Sequence, residues 1–76
     1  LGQNQPALTA WKNLKLKRAS FPEVEIALEG KDAWLEFQAP KPLKVSLNGT
    51  ALTPELYSGN LYRIALTEDG IVRFEG

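Results

Sequence analysis

At 76 residues the chain has room for one domain. Nine basic residues balance nine acidic ones, and histidine and cysteine are absent. That composition excludes a net basic field for nucleic acid, a Ser-His or Cys-His nucleophile, and any imidazole or thiolate metal site.

A chain this short buries only about 60% of the surface its unfolded form exposes, so it is expected to be marginal unless it is stapled, oligomeric or docked on something larger. It opens on Leu1 and contains no methionine, as expected of a processed product or of a domain cut from a longer protein, the second fitting a marginal core better. No apolar run approaches the length of a membrane span or a signal-peptide core, and without cysteine the compartment stays open.

Residues 1–10 are polar and broken by Gly2 and Pro6, which predicts a linker or tail ahead of a single domain at 11–76. In 11–18, Leu14 and Leu16 alternate with Asn13, Lys15 and Lys17, the pattern of a strand with one buried face, ending near Pro22. The cleanest alternation is 23–29, with Val24, Ile26 and Leu28 in phase. Gly30, Lys31 and Asp32 then turn the chain, and 33–39 returns with Leu35 and Phe37 in phase; the two runs predict a hairpin.

Pro40 and Pro42 hold a crossing piece extended. Leu43, Val45 and Leu47 then alternate with Lys44 and Ser46 as far as Asn48-Gly49, a pair that tolerates positive φ and so marks a tight hairpin turn. Residues 53–57 have room for one helical turn. Tyr62, Ile64 and Leu66 share a phase in the next run, Asp69-Gly70 marks another turn, and 71–75 closes a sheet. Runs of this kind, spaced by turn signals, predict an all-β fold. The form expected is a small antiparallel β-sandwich of about six to seven short strands, with a small β-barrel of OB or SH3 type as the alternative.

Carboxylates are the only acid–base groups left. Glu23, Glu25, Glu29 and Glu36 fall on strand positions that alternation turns to water, where cross-strand pairing to Lys15 or Lys17 is expected rather than catalysis. Glu68 and Asp69 fall short of the oxygens a calcium ion takes. No metal, no cofactor and no enzymatic activity are therefore expected. Lys12, Lys15, Lys17 and Arg18, with Trp11 beside them, form a candidate phosphate and base contact, set against the acidic run expected to lie next to it.

Phe37, Phe74 and Tyr62 are in phase with the core. Trp34, by contrast, shares a face with Glu36 and Gln38, and Trp11 one with Asn13 and Lys15. Bulky rings on polar faces are costly to leave in water. They stack on sugar rings, dock on a neighbouring domain, or fold over a sheet edge. Asn48-Gly49-Thr50 also fits the N-glycosylation acceptor pattern, with the hairpin turn as the preferred reading.

The segment Pro42-Leu43-Lys44-Val45-Ser46-Leu47-Asn48-Gly49, followed by Tyr62-Arg63-Ile64-Ala65-Leu66 and Gly70-Ile71-Val72-Arg73-Phe74-Glu75-Gly76, resembles the small β-sandwich module at the C-terminal end of many glycoside hydrolases. The resemblance covers the last half of the chain. It implies a non-catalytic, mainly structural module packed on a catalytic barrel, and no catalytic residue carries over, because that family keeps its carboxylates in the barrel. The expected function is that of an accessory module of a larger carbohydrate-active protein, docking on a neighbouring domain through Trp11 and Trp34. The alternatives are a stand-alone glycan- or protein-binding module and a nucleic-acid-binding barrel that uses Lys12, Lys15, Lys17 and Arg18. No membrane partner is expected.

Overall fold

The computed structural model describes residues 6–75. A four-stranded sheet is built from β1 (Ala7–Lys12), β4 (Ala33–Gln38), β7 (Glu55–Ser58) and β8 (Leu61–Leu66), in the order β1-β4-β8-β7. A five-stranded sheet takes β2 (Leu14–Ser20), β3 (Glu23–Leu28), β5 (Lys44–Leu47), β6 (Thr50–Leu52) and β9 (Gly70–Glu75), in the order β2-β3-β9-β5-β6. Every neighbouring pair is antiparallel. The fold is the two-layered all-β architecture that the alternating pattern predicts.

Each sheet turns one apolar face inward, and neither can hide that face alone. Ala33, Leu35, Phe37, Ile64 and Leu66 of the four-stranded sheet join Leu14, Val24, Ile26, Val45, Leu47, Val72 and Phe74 of the other in one buried cluster. Phe37 locks the layers together. Its ring meets Phe74 edge-on, with centroids 5.1 Å apart, and stacks on Tyr62 at 5.6 Å, so all three rings in phase with the core do pack there.

The connections differ from the sequence reading in four places. Residues 7–10, expected in a tail, belong to β1, where Leu8 lies opposite Phe37 and a bulge between Leu8 and Ala10 hides the alternation; residues 1–5 of the expected tail lie outside the described residues. The run 11–18 is two strands, because Asn13 adopts φ 59° and passes the chain from one sheet to the other. The expected hairpin of 23–29 with 33–39 does not form: β3 pairs with β2 and β9, whereas β4 pairs with β1 and β8. The turn between them is an arch, pinned where Glu29 N donates to Asn13 O at 2.8 Å and Asn13 Nδ2 donates to Lys31 O at 2.6 Å. It lets β3 and β4 bury their apolar faces against each other's layer instead of sharing one. Residues 53–57 hold no helical turn, and 55–58 form β7 on the edge of the smaller sheet.

The Asn48-Gly49 turn is as expected. With φ of 51° and 86°, the pair joins β5 to β6 and places Leu47 opposite Thr50. The Asn48 side chain also reaches the turn between β8 and β9. Nδ2 donates to Glu68 Oε2 at 2.6 Å and to Asp69 O at 2.9 Å, while Oδ1 accepts from Ile71 N at 2.9 Å.

Candidate functional site

Parity decides what the outer face of the four-stranded sheet carries. Because Leu35 and Phe37 point inward, Trp34, Glu36 and Gln38 point out; because Ile64 and Leu66 point inward, Arg63 and Ala65 point out. The β4–β8 register sets Glu36 opposite Arg63 and Trp34 opposite Ala65. β7 adds Tyr57 from its bulge, one strand further over.

These side chains form one stack. The Arg63 guanidinium carbon lies 4.0 Å from the Trp34 ring centroid and 3.8 Å from that of Tyr57, so each ring gives one face to the cation. Arg63 Nε donates to Glu36 Oε1 at 3.0 Å, and Thr9 Oγ1 donates to the other oxygen at 2.8 Å. Four strands thus contribute to an aromatic–cation–aromatic stack tied to its sheet by one carboxylate.

Glu36 corrects the expectation of a solvated acid. It faces outward, yet only 7% of its surface is exposed, because Thr9 and Arg63 close over it. The Thr9 hydroxyl first, and the Arg63 guanidinium beside it, hold its carboxyl below the ordinary value despite the opposing effect of desolvation. An ionised carboxylate with both oxygens engaged is poorly suited to act as a general acid. Among the described residues, no group of three or more histidine, cysteine or acidic residues is placed to hold a metal ion.

The outer face of the five-stranded sheet is different in kind. Arg73 bridges Glu23 at 2.9 Å and Glu75 at 3.1 Å, and Lys17 lies 3.8 Å from Glu25. These groups are partly or fully exposed and their pairs contribute little to stability; Glu25 makes the expected pair with Lys17, whereas Glu23 pairs with Arg73 and not with Lys15 or Lys17. A shallow depression of about 270 Å³ lies between Lys44, Ser46, Ala51 and Arg73 on this face.

The sequence candidates separate. Trp34 lies on the outer face, half-buried in the stack. Trp11 lies opposite Leu35, which puts it on the inner side of the edge strand β1, 45% exposed, and not on the face of Trp34. Its expected phase was counted from Leu14 and Leu16 across Asn13, and the left-handed residue there resets the count. Lys12 lies opposite Trp34 on the four-stranded sheet, whereas Lys15, Lys17 and Arg18 lie on β2 of the other, with Glu25 opposite Arg18. The four cations are divided between two sheets. Thr9, Tyr57 and Arg63 are the site residues that the sequence reading missed. Arg63 was within reach, since it occupies the polar phase of its run just as Trp34 does.

No family model matches the chain, and the searches of curated proteins and of solved structures return no match.

Proposed function

We propose that the chain is a non-catalytic accessory module that docks on a neighbouring domain through its four-stranded sheet. One observation carries this reading: the large apolar side chains left exposed among the described residues are Trp11, Leu56 and Tyr57, and all three belong to edge strands of that sheet, while the outer face of the other is charged. Of the three, Tyr57 lies on the outer face against Arg63 and beside Trp34, and an exposed aromatic cluster of this kind is a usual mark of a contact surface.

The Trp34–Arg63–Tyr57 stack supplies a rigid centre for such a contact. Aromatic and arginine side chains dominate interface energetics, and here Arg63 already contacts both rings before association, which lowers the ordering cost. Arg63 already covers one face of each ring, which favours docking over sugar stacking. The glycoside hydrolase resemblance makes a carbohydrate-active catalytic domain the proposed neighbour.

The experiment is a tryptophan fluorescence titration. Added in trans, the polypeptide that adjoins this chain in its parent protein should give a saturable emission shift that Tyr57→Ala weakens. Soluble polysaccharides should give none. A saturable shift with a polysaccharide and none with the adjoining polypeptide would replace docking by glycan binding.

A further inference from the structure

We infer that Asn48-Gly49 is a deamidation site gated by the fold: closed while the two turns are clasped, open when they separate, and one-way once used. The chemistry needs only water. The Gly49 backbone nitrogen gives up its proton to solvent and attacks Cγ of Asn48, a C–N bond forms, the Cγ–Nδ2 bond breaks, and ammonia leaves with a proton from solvent. Water then opens the resulting five-membered imide at either carbonyl, leaving an aspartyl or isoaspartyl residue at position 48. Glycine in the following position makes this attack easy, since no Cβ obstructs the nitrogen.

The geometry holds the reaction off. The Asn48 amide makes three polar contacts with residues 68–71, to Glu68 Oε2, Asp69 O and Ile71 N, at 2.6, 2.9 and 2.9 Å. A Cβ at position 70 would land on this same amide, so Gly70 leaves the space in which it sits. To bring Cγ onto the Gly49 nitrogen, the side chain must leave all three partners. With each bond shifting the local opening equilibrium by a factor of about 2 to 10, the folded chain reacts roughly 10- to 1,000-fold more slowly than the unfolded one.

The product does not restore the clasp. An aspartyl carboxylate at 48 has no N–H to give Glu68 Oε2 or Asp69 O and sets a negative charge against the first; an isoaspartyl residue also lengthens a turn that has only two residues. The loss reaches further, because Asp69 Oδ1 accepts from Leu28 N at 2.8 Å and couples the same turn to the end of β3. Each excursion to the open state therefore risks a permanent covalent record of it. The clasp also occupies Nδ2, the atom a glycan would be attached to, so the folded chain is not an acceptor at Asn48-Gly49-Thr50.

Peptide mapping by mass spectrometry tests this on the whole chain, incubated at mildly alkaline pH in buffer and in concentrated denaturant. Asn13 and Asn60, each followed by leucine, serve as slow internal references. Position 48 should convert well ahead of both in denaturant and at least tenfold more slowly in buffer; equal rates in the two conditions would overturn the gate. Glu68→Ala removes one exposed acceptor and should raise the rate in buffer by about 2- to 10-fold, with no change in denaturant; an unchanged rate in buffer would show that the clasp is not what restrains the amide. Converted chain, separated by ion exchange, should unfold at lower denaturant than unconverted chain. Identical midpoints would overturn the one-way character.

Discussion

Removing the Arg63 cation should loosen the stack by an amount that a double-mutant cycle can isolate. Arg63→Met keeps an unbranched stem over the sheet and deletes the guanidinium; Tyr57→Ala deletes the outer ring. The guanidinium carbon is 3.8 Å from the Tyr57 centroid and the Arg63 side chain is 31% exposed. That places the pair between the exposed and desolvated limits, at about 1 kcal/mol. Both Arg63 variants leave Glu36 with the same neighbours, so the effect of its lost partner cancels in the cycle. Leu56→Ala supplies the control, because Leu56 lies opposite Tyr62 and projects to the other side of the sheet from Arg63. Urea unfolding followed by far-ultraviolet circular dichroism avoids a signal that depends on Trp34. The expected coupling is about 1 kcal/mol for Arg63 with Tyr57, and within about 0.3 kcal/mol of zero for Arg63 with Leu56. Zero coupling for both pairs would refute the stack as an energetic unit.

Three further outcomes follow from the same geometry. Glu36 has its carboxyl pKa lowered by folding, so its ionisation stabilises the folded chain above the ordinary glutamate value, and that contribution is lost as pH falls through the lower folded value; in urea titrations across the acid range, the midpoint of Glu36→Gln should fall less steeply than that of the parent chain. Phe37 is fully enclosed between Tyr62 and Phe74, and Phe37→Ala should cost about 3–5 kcal/mol, a large share of the roughly 4–11 kcal/mol expected for a domain of this length; a loss under about 1 kcal/mol would contradict its central place. Gly49 and Gly70 both have positive φ, at 86° and 150°, but only a side chain at 70 would meet Asn48, so Gly70→Ala should lower the thermal midpoint clearly more than Gly49→Ala.

Alternation along the chain was a reliable guide to which face of a strand is buried. Val24, Ile26, Leu35, Phe37, Val45, Leu47, Ile64, Leu66, Val72 and Phe74 are all buried in the phase their runs predict, since period-2 patterning is a direct consequence of the pleat. Pairing was less legible, because parity says which side is apolar and not which strand lies alongside. An arch and a hairpin between β3 and β4 therefore look identical in sequence, and the arch shows only once Asn13 and the Glu29 backbone meet.

β6 and β7 escaped for a different reason: three and four residues are too few to display a period, and the edge position of β7 imposes no apolar face on it. With β7 unseen, so was Tyr57, and with it half of the cradle around Arg63. Glu36 illustrates the converse case. Its phase was right, but a residue on an outer face meets water only if its neighbours are short, and here an arginine and a threonine reach over it.

Hydroxyl-radical footprinting, comparing the isolated chain with the same chain inside the larger protein that the docking proposal posits, tests that proposal most directly. Trp34 and Tyr57 should be strongly protected there, while Ile71, on the outer face of the five-stranded sheet, should react equally in both. Protection at Ile71 with Trp34 and Tyr57 unchanged would place the contact on the opposite layer and contradict the proposal.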